Sequence, residues 1–354
     1  ELEVATPPRK VEQSTLRRRP DEAGARGTCD PFMDRSPSNR ATRPLADFTP
    51  AEAVETAPVS WREELMAARR FVLVGHGGFY NRGCEAIVRT TAKMLLNRFP
   101  GCEIVLASND AENDRRHSAA DGIEIVDNRV PKWSPKWFRR KICEVLSLPV
   151  APQAHLPRVV ADAVAGADAV LQIGGDNFTS DYGLSLSSGL LGANQVAFEN
   201  DVPVVIWGAS IGPFDSPALE EGVLNHLRRA ALITVRESVS KAYLLDHGIT
   251  DNVLQVADPA MLLQPDPIDL SPFWPDAERV LALNASALSS GFREDADMSF
   301  GQDIVATVVE EVVGWQDWGV VLVPHVVNPP HQDDHQYMAQ AIEDAEYSGR
   351  VGIV

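Results

Sequence analysis

Cysteine and long apolar runs are scarce in this 354-residue sequence, and each absence argues against a class of protein. The four cysteines, Cys29, Cys84, Cys102 and Cys143, lie far apart and form no C-x-x-C pair. This usage fits a reducing compartment and offers no zinc-binding pattern. No apolar run approaches the length of a membrane span, and the N-terminus lacks the apolar stretch of a signal peptide. We therefore expect a cytoplasmic protein without a membrane span or a bound metal.

Positive charge is scarce in most of the chain. Residues 1–70 hold 12 lysines and arginines and 12 aspartates and glutamates, so the other 284 residues carry the whole net charge of −18. An acidic body repels the phosphates of nucleic acid, which argues against a nucleic-acid partner. An anionic substrate would depend on a few cations placed at its site.

The two ends of the sequence differ from its middle. Residues 1–58 are rich in Pro, Arg, Ser, Thr and Ala without an apolar period, which predicts a disordered leader, and a short helix is expected over 61–70. The chain begins at Glu1 instead of methionine and stops inside the apolar run "RVGIV". We therefore expect a fragment or a processed product.

Short β-rich runs alternate with helical patterns through the middle of the chain. The runs are FVLV (71–74), EIVLA (103–107), IEIV (123–126), AVLQI (169–173), VPVVIW (202–207), LITV (232–235) and VLQV (253–256). Such alternation predicts an α/β fold with a parallel sheet covered on both faces. A proline-rich stretch at 262–279 precedes three further runs, RVLALN, GVVLVPH and RVGIV. We predict a Rossmann-like domain over 59–265 and an incomplete second one over 266–354.

Small and polar residues follow several predicted strands, at the edge where open parallel sheets bind ligands. Each has a simpler structural explanation, such as a turn glycine, a satisfied histidine or an ion pair between Arg236 and Glu237. Their convergence favours a ligand cleft, because independent turns have no reason to gather Arg, Asp and Asn. Adjacent Asp333 and Asp334 predict a helix cap more readily than a metal site. The residues that follow strands are Gly75, Gly77, Gly78, Asn81, Gly83, the segments GGDNF (174–178) and GASIGPF (208–214), Arg236, Asp258 and His325.

The sequence contains none of three common functional motifs in its full form and context. A dinucleotide fingerprint starting at Gly75 would need glycine where Tyr80 stands, and no Walker pattern occurs. The segment from Gly208 to Gly212 formally matches G-x-S-x-G. Pro213 follows it at once, however, whereas a nucleophile elbow needs a helix directly behind its serine.

From Phe71 to Val354 the sequence resembles the polysaccharide pyruvyl transferase family. The matching segments, in order, are GHGGFYNRGCEAI, ADAVLQIGGDNF, GASIGPF, TVRESVSKAYLLDHGI and VADPAMLL. The resemblance implies two facing Rossmann-like domains, similar to the GT-B glycosyltransferases. It also implies transfer of the carboxyvinyl unit of phosphoenolpyruvate onto two sugar hydroxyls, which forms a cyclic ketal and releases phosphate. No cofactor is implied.

The implied chemistry needs a clamp for an anionic donor and groups that transfer protons. Arg236 suits the clamp, and the turns at Gly174–Gly175 and Ser210–Gly212 can offer backbone N–H groups. We predict Arg236, Asp258 and His325 as catalytic residues. The predicted substrate-binding residues are Gly77, Gly78, Asn81, Gly83, Glu85, Gly174, Gly175, Asp176, Asn177, Ser210, Gly212 and Ser240.

The sequence departs from the family pattern at two places. Cys84 stands where many members carry aspartate, and Glu85 is the neighbouring carboxylate that would replace it. Family members also carry an Arg-x-His element farther along the second domain, and the sequence ends before one occurs. We therefore expect the chain as given to lack part of its donor site and to be inactive. The alternatives are a GT-B-like glycosyltransferase that uses a nucleotide sugar and a non-catalytic sugar-binding relative.

Overall fold

The computed structural model describes residues 70–117, 122–146, 152–180, 184–186, 188–288, 298–327, 333–343 and 349–354. The predicted leader over 1–58 lies outside these residues, and so does the predicted helix over 61–70 apart from Arg70, which belongs to the first strand. No helix in the described ranges combines the length and the apolar character needed to cross a membrane.

The larger sheet has seven strands, and every pair of neighbours runs parallel. All seven predicted runs are confirmed, although the first and the fifth strand each continue two residues beyond the predicted run. The strand order is β3-β2-β1-β4-β5-β6-β7. The strands are β1 (Arg70–His76), β2 (Glu103–Ser108), β3 (Ile123–Asp127), β4 (Ala169–Gln172), β5 (Val204–Ala209), β6 (Leu232–Val235) and β7 (Val253–Gln255).

Helices cover both faces of this sheet, because side chains along each strand alternate between two apolar clusters. In β1, Val72 and Val74 face one cluster while Phe71 and Leu73 face the other. The helices are α1 (Arg82–Arg98), α2 (Ala111–His117), α3 (Pro135–Val145), α4 (Arg158–Ala165), α5 (Gly189–Glu199), α6 (Pro217–Arg228) and α7 (Ser238–Asp246), with 3-10 turns at Pro152–His155 and Pro259–Leu262. The first cluster includes residues of α4 to α7, and the second includes residues of α1 and α2.

The second sheet has three described strands, again parallel, in the order β10-β9-β8. Its core packs Val309, Leu322 and Met338 together. Asp333 caps the last helix by accepting a hydrogen bond from the N–H of Gln336, which confirms the predicted cap. The elements are β8 (Arg279–Leu283), β9 (Trp318–Leu322), β10 (Val351–Ile353), α8 (Met298–Gly314) and α9 (Asp334–Ala341). The predicted α/β class with parallel sheets is confirmed.

The order of the larger sheet creates a crevice between β1 and β4. The chain adds β2 and β3 on one side of β1, and then returns to add β4 to β7 on the other side. Loops that leave the carboxyl ends of β1 and β4 therefore diverge, and ligands of open α/β sheets bind at such a point.

A side-chain hydrogen bond spans this crevice. The Nδ2 of Asn177 donates to the carbonyl oxygen of Gly75 over 2.7 Å, so the loop after β4 is tied to the end of β1. The backbone approaches so closely here that a Cβ on Gly174 would lie 1.5 Å from that Nδ2 and 2.5 Å from the Gly75 oxygen. A side chain larger than that of glycine therefore does not fit at position 174 without displacing its neighbours.

Gly174→Ala is expected to lower the free energy of unfolding by about 1–3 kcal/mol, because the added methyl group displaces Asn177 and breaks its bond to Gly75. Gly314→Ala is the matched control, since nothing lies within 4 Å of a Cβ at that exposed helix end. The control should change stability by no more than about 1 kcal/mol, in the stabilising direction. Urea unfolding of both variants checks this, and equal stabilities would contradict the close approach at Gly174.

Candidate functional site

Arg236 stands directly beyond β6, and its guanidinium group is held by the loops of the neighbouring strands. Its Nε donates to the Oγ of Ser210 over 2.9 Å, and its Nη1 donates to the Oδ2 of Asp258 over 2.8 Å. Glu237 lies 3.6 Å from the Nε. The side chain is 26% exposed, and its Nη2 makes no hydrogen bond with any described residue. A held guanidinium with donors left over can bind an anion.

Asp258 fixes this arginine from the end of β7. Its Oδ1 accepts a hydrogen bond from the N–H of Ala260 over 2.8 Å, while its Oδ2 contacts Arg236. Both oxygens are therefore engaged, and the carboxylate acts on Arg236 as a fixed counter-charge. Gly208 makes room for this turn, because a Cβ there would lie 2.6 Å from the Cδ of Pro259.

Two turns beyond β4 and β5 are bonded to each other beside Arg236. The N–H of Ser210 donates to the Gly175 oxygen over 2.7 Å, and the N–H of Gly212 donates to the Phe178 oxygen over 2.8 Å. Gly175 has a φ of +64°, and a Cβ on it would lie 3.2 Å from the Nη1 of Arg236. The glycine thus lets the guanidinium lie against the loop backbone.

Ser240 supports the second turn from behind. It is 3% exposed, and its Oγ accepts a hydrogen bond from the N–H of Ile211 over 2.9 Å and donates to the Oε1 of Glu237 over 2.7 Å. The structure thus places this predicted substrate-binding residue beneath the turn, where it fixes the position of Ser210.

The glycine-rich loop after β1 is shaped by Tyr80 and Asn81. A Cβ on Gly78 would lie 2.5 Å from the Tyr80 ring, so the small residues at 77 and 78 make room for that ring. Asn81 caps α1, because its Oδ1 accepts hydrogen bonds from the N–H groups of Gly83 (3.0 Å) and Cys84 (3.2 Å).

His325, from the loop after β9, contacts the same helix terminus. The Gly83 N–H lies 3.1 Å from its Nε2, and the N–H of Arg82 donates to its carbonyl oxygen over 3.0 Å. Buried Asp334 holds this loop by accepting from the N–H groups of His325 and Val326. The structure therefore brings the predicted His325 to the glycine loop, across 242 positions of sequence.

Cys84 interacts both with the glycine loop, through the N–H of Gly77, and with the charges of Asp176 and Arg236. Burial raises the pKa of its thiol to about 11, and the negative charge of Asp176 adds to that shift, while the N–H of Gly77 and the charge of Arg236 oppose it. The carboxylate of Asp176 makes no hydrogen bond with a described residue. The charges of Asp176 and Arg236 therefore both act on this thiol.

Glu85 is directed elsewhere. Its carboxylate forms ion pairs with Arg82 over 2.7 Å and with Arg89 over 2.9 Å, both on α1. The structure gives this predicted substrate-binding residue a place in a surface ion-pair network, and no contact with the group around Arg236.

A buried hydrogen-bond network at the end of β1 is not among the features predicted from the sequence. The Nε2 of His76 lies 2.8 Å from the Oδ2 of Asp114, and the Ser108 hydroxyl donates to the same oxygen over 2.5 Å. The N–H of Phe79 donates to the other oxygen over 2.8 Å. Burial raises the pKa of the Asp114 carboxyl, but these hydrogen bonds outweigh that effect and hold the pKa below its usual value. No motif spacing connects His76 with a residue 38 positions away.

Comparisons with known proteins give one family and a set of distant structures. A family model described as polysaccharide pyruvyl transferase matches residues 81–347. No curated protein sequence matches the chain.

Three solved structures illustrate the distant similarities. A putative UDP-N-acetylglucosamine 2-epimerase from Listeria monocytogenes has a TM-score of 0.49 and 15% identity over 80% of this chain and 68% of that chain. The UDP-GlcNAc 2-epimerase from Neisseria meningitidis bound to UDP-GlcNAc has a TM-score of 0.44 and 14% identity over 80% of this chain and 71% of that chain. MurG from Acinetobacter baumannii has a TM-score of 0.36 and 10% identity over 81% of this chain and 65% of that chain. These TM-scores are too low to support an inference about this chain.

The raised pKa of Cys84 predicts slow alkylation. Thiolate is the reacting form, so iodoacetamide at about pH 8.5 should label Cys84 roughly a hundredfold more slowly in the folded protein than in the unfolded chain. Asp176→Asn should accelerate the labelling by removing the nearby negative charge, while exposed Asp215→Asn should not. Peptide mass spectrometry measures the rates, and equal rates in the two variants would show that Asp176 does not face the thiol.

Proposed function

Since the chain belongs to the polysaccharide pyruvyl transferase family, we propose that its site serves the transfer of a pyruvyl group from phosphoenolpyruvate to two hydroxyls of a saccharide. The observation that carries this proposal is the held guanidinium of Arg236 at the sheet edge. The family is a transferase family that modifies polysaccharides. The donor and the ketal product are the parts that we propose.

The donor has two anionic groups, a phosphate and a carboxylate, and it enters a strongly acidic protein. Arg236 can bind one of these groups through Nη2, because Ser210 and Asp258 occupy donors on its other nitrogens. Backbone N–H groups of the turn at Gly175 can contribute further donors, since glycine allows a close approach of the anion. The N–H groups of Ser210, Ile211 and Gly212 are already paired within the fold, so the second predicted source of backbone donors is not available.

The reaction requires one proton at the donor and removes one from each hydroxyl. Protonation of C3 of phosphoenolpyruvate produces a cation at C2, and a sugar oxygen bonds to C2 and gives up its proton. Departure of phosphate with its electron pair regenerates the cation, and the second hydroxyl oxygen bonds to C2 and loses its proton. The products are the cyclic ketal and inorganic phosphate.

Asp176 is the best-placed carboxylate for the proton transfers. It lies near Arg236 and Cys84, and it has no hydrogen-bond partner among the described residues, whereas both oxygens of Asp258 are engaged. The Nε2 of His325 lies against the Gly83 N–H, so this nitrogen would need to release that contact before it could exchange a proton.

Arg236→Ala is expected to weaken phosphoenolpyruvate binding by about ten- to a hundredfold, the range for loss of a hydrogen bond to a charged group. Arg236→Lys should restore only part of the affinity, because the planar fork is lost. Isothermal titration calorimetry on the 354-residue chain measures the affinities.

The matched control for this experiment is Arg129→Ala, which breaks an exposed arginine–aspartate pair at the end of β3, on the opposite side of the sheet from β6. It should leave phosphoenolpyruvate binding unchanged. UDP serves as the competing ligand, since a nucleotide-sugar transferase would bind UDP and not phosphoenolpyruvate. Equal phosphoenolpyruvate affinity in the wild type and Arg236→Ala would remove Arg236 from the donor site, and binding of UDP alone would refute the proposed donor.

A further inference from the structure

A cavity of about 420 Å³ opens at the crevice between β1 and β4, beside the loop whose Gly175 lies against Arg236. It is bounded by the carboxyl ends of β1 to β4 and by the N-terminus of α5. Its volume lies within the usual range for small-molecule sites. Its polar lining residues are His76, Asn109, Asn128, His155, Asn177 and Ser188.

His76 is the buried polar group of this lining that has an unused acceptor. The residue is 1% exposed, and its Nδ1 is buried without a hydrogen-bond partner among the described residues. The Asp114 carboxylate, ionised because its pKa is lowered, assigns the ring proton to Nε2. The lone pair therefore lies on Nδ1, and an unpaired acceptor at a buried position costs free energy until a donor arrives.

The lining favours a neutral ligand with several hydroxyl groups. Among the described residues, no aspartate, glutamate, lysine or arginine lines the cavity, so these residues offer no counter-charge for a phosphate or a carboxylate. Asn128 donates from Nδ2 to the Oδ1 of Asn109 over 3.1 Å, which leaves the other atoms of this amide pair available to hydroxyls. The first-turn N–H groups of α5 at Gly189 and Leu190 add donors. Apolar Val74 and Leu184 suit the C–H face of a sugar ring.

The cavity adjoins the site proposed for the donor. Gly77 lines the cavity, and its N–H also contacts the thiol of Cys84, which feels the charges of Asp176 and Arg236. Asn177 lines the cavity and belongs to the same short loop as Gly175, which lies against the guanidinium. A ligand in the cavity would therefore meet the donor across the glycine loop.

We propose that this cavity binds the saccharide acceptor and that the Nδ1 of His76 accepts a hydrogen bond from one of its hydroxyls. The role of the ligand as acceptor rests on the proposed function, whereas the binding of a neutral sugar rests on the cavity alone. His76 is a specificity-determining residue in this account, and Asp114 positions its ring.

The test is binding of methyl glucopyranoside, methyl galactopyranoside and methyl mannopyranoside to the 354-residue chain, measured by titration NMR. The key variant is His76→Gln, because the glutamine amide can still donate to Asp114 but places no acceptor where Nδ1 lies. We expect at least one glycoside to bind the wild type, and His76→Gln to raise its dissociation constant at least about tenfold, the size of one hydrogen-bond loss.

His226→Gln is the matched control. His226 also has a ring nitrogen buried without a partner, but it lies on α6 away from the cavity, so its variant should bind glycosides normally. Asn128→Leu is a second variant at the half-buried rim that should weaken binding even if His76→Gln fails to fold. The proposal is overturned if no glycoside binds the wild type, or if the variants of His76 and Asn128 that fold bind as the wild type does.

The outcomes for the two sites are separable. Glycoside binding that depends on His76, with no binding of phosphoenolpyruvate, would retain the sugar site and reject the proposed donor. Phosphoenolpyruvate binding that depends on Arg236, with no glycoside binding, would retain the donor and reject this cavity as the acceptor site.

Discussion

Parallel pairing of all seven strands in the larger sheet is the constraint on which the site depends. It places every carboxyl end at one edge, so that loops from positions far apart in sequence meet there. The hydrogen bond from Asn177 to the Gly75 oxygen then fixes the width of the crevice between β1 and β4. A change of strand order or register would separate Arg236 from Ser210 and Asp258, although each strand would keep its own sequence pattern.

The charge around Arg236 is closely balanced. Arg236 faces the carboxylates of Asp258 and Glu237, and Asp176 lies nearby. An incoming dianion therefore cannot rely on the net charge of the cleft. Oriented N–H groups must contribute to its binding, and the glycine turn beyond β4 is the source of such groups, because those of the turn beyond β5 are already paired. Arg236 and the glycine turn beyond β4 thus supply complementary contacts to an anion.

The strands and the edge they share could be predicted from the sequence, because the apolar runs and the turn residues after them are local signals. Contacts between residues that follow different strands could not be predicted from the sequence. The pairing of Arg236 with Asp258 depends on the order of β6 and β7, and the approach of His325 to Gly83 depends on how the second sheet packs. Ser240 lies in a recognisable segment, yet only the three-dimensional structure shows that it supports the turn at Ile211.

Binding of phosphoenolpyruvate at Arg236 is tested most directly by a crystal structure of the chain soaked with this donor. We expect one donor molecule beyond the ends of β5, β6 and β7, with its phosphate or carboxylate oxygens within hydrogen-bond distance of the Arg236 guanidinium. Phosphoenolpyruvate bound elsewhere, with Arg236 still contacting only Ser210 and its carboxylate neighbours, would contradict the account.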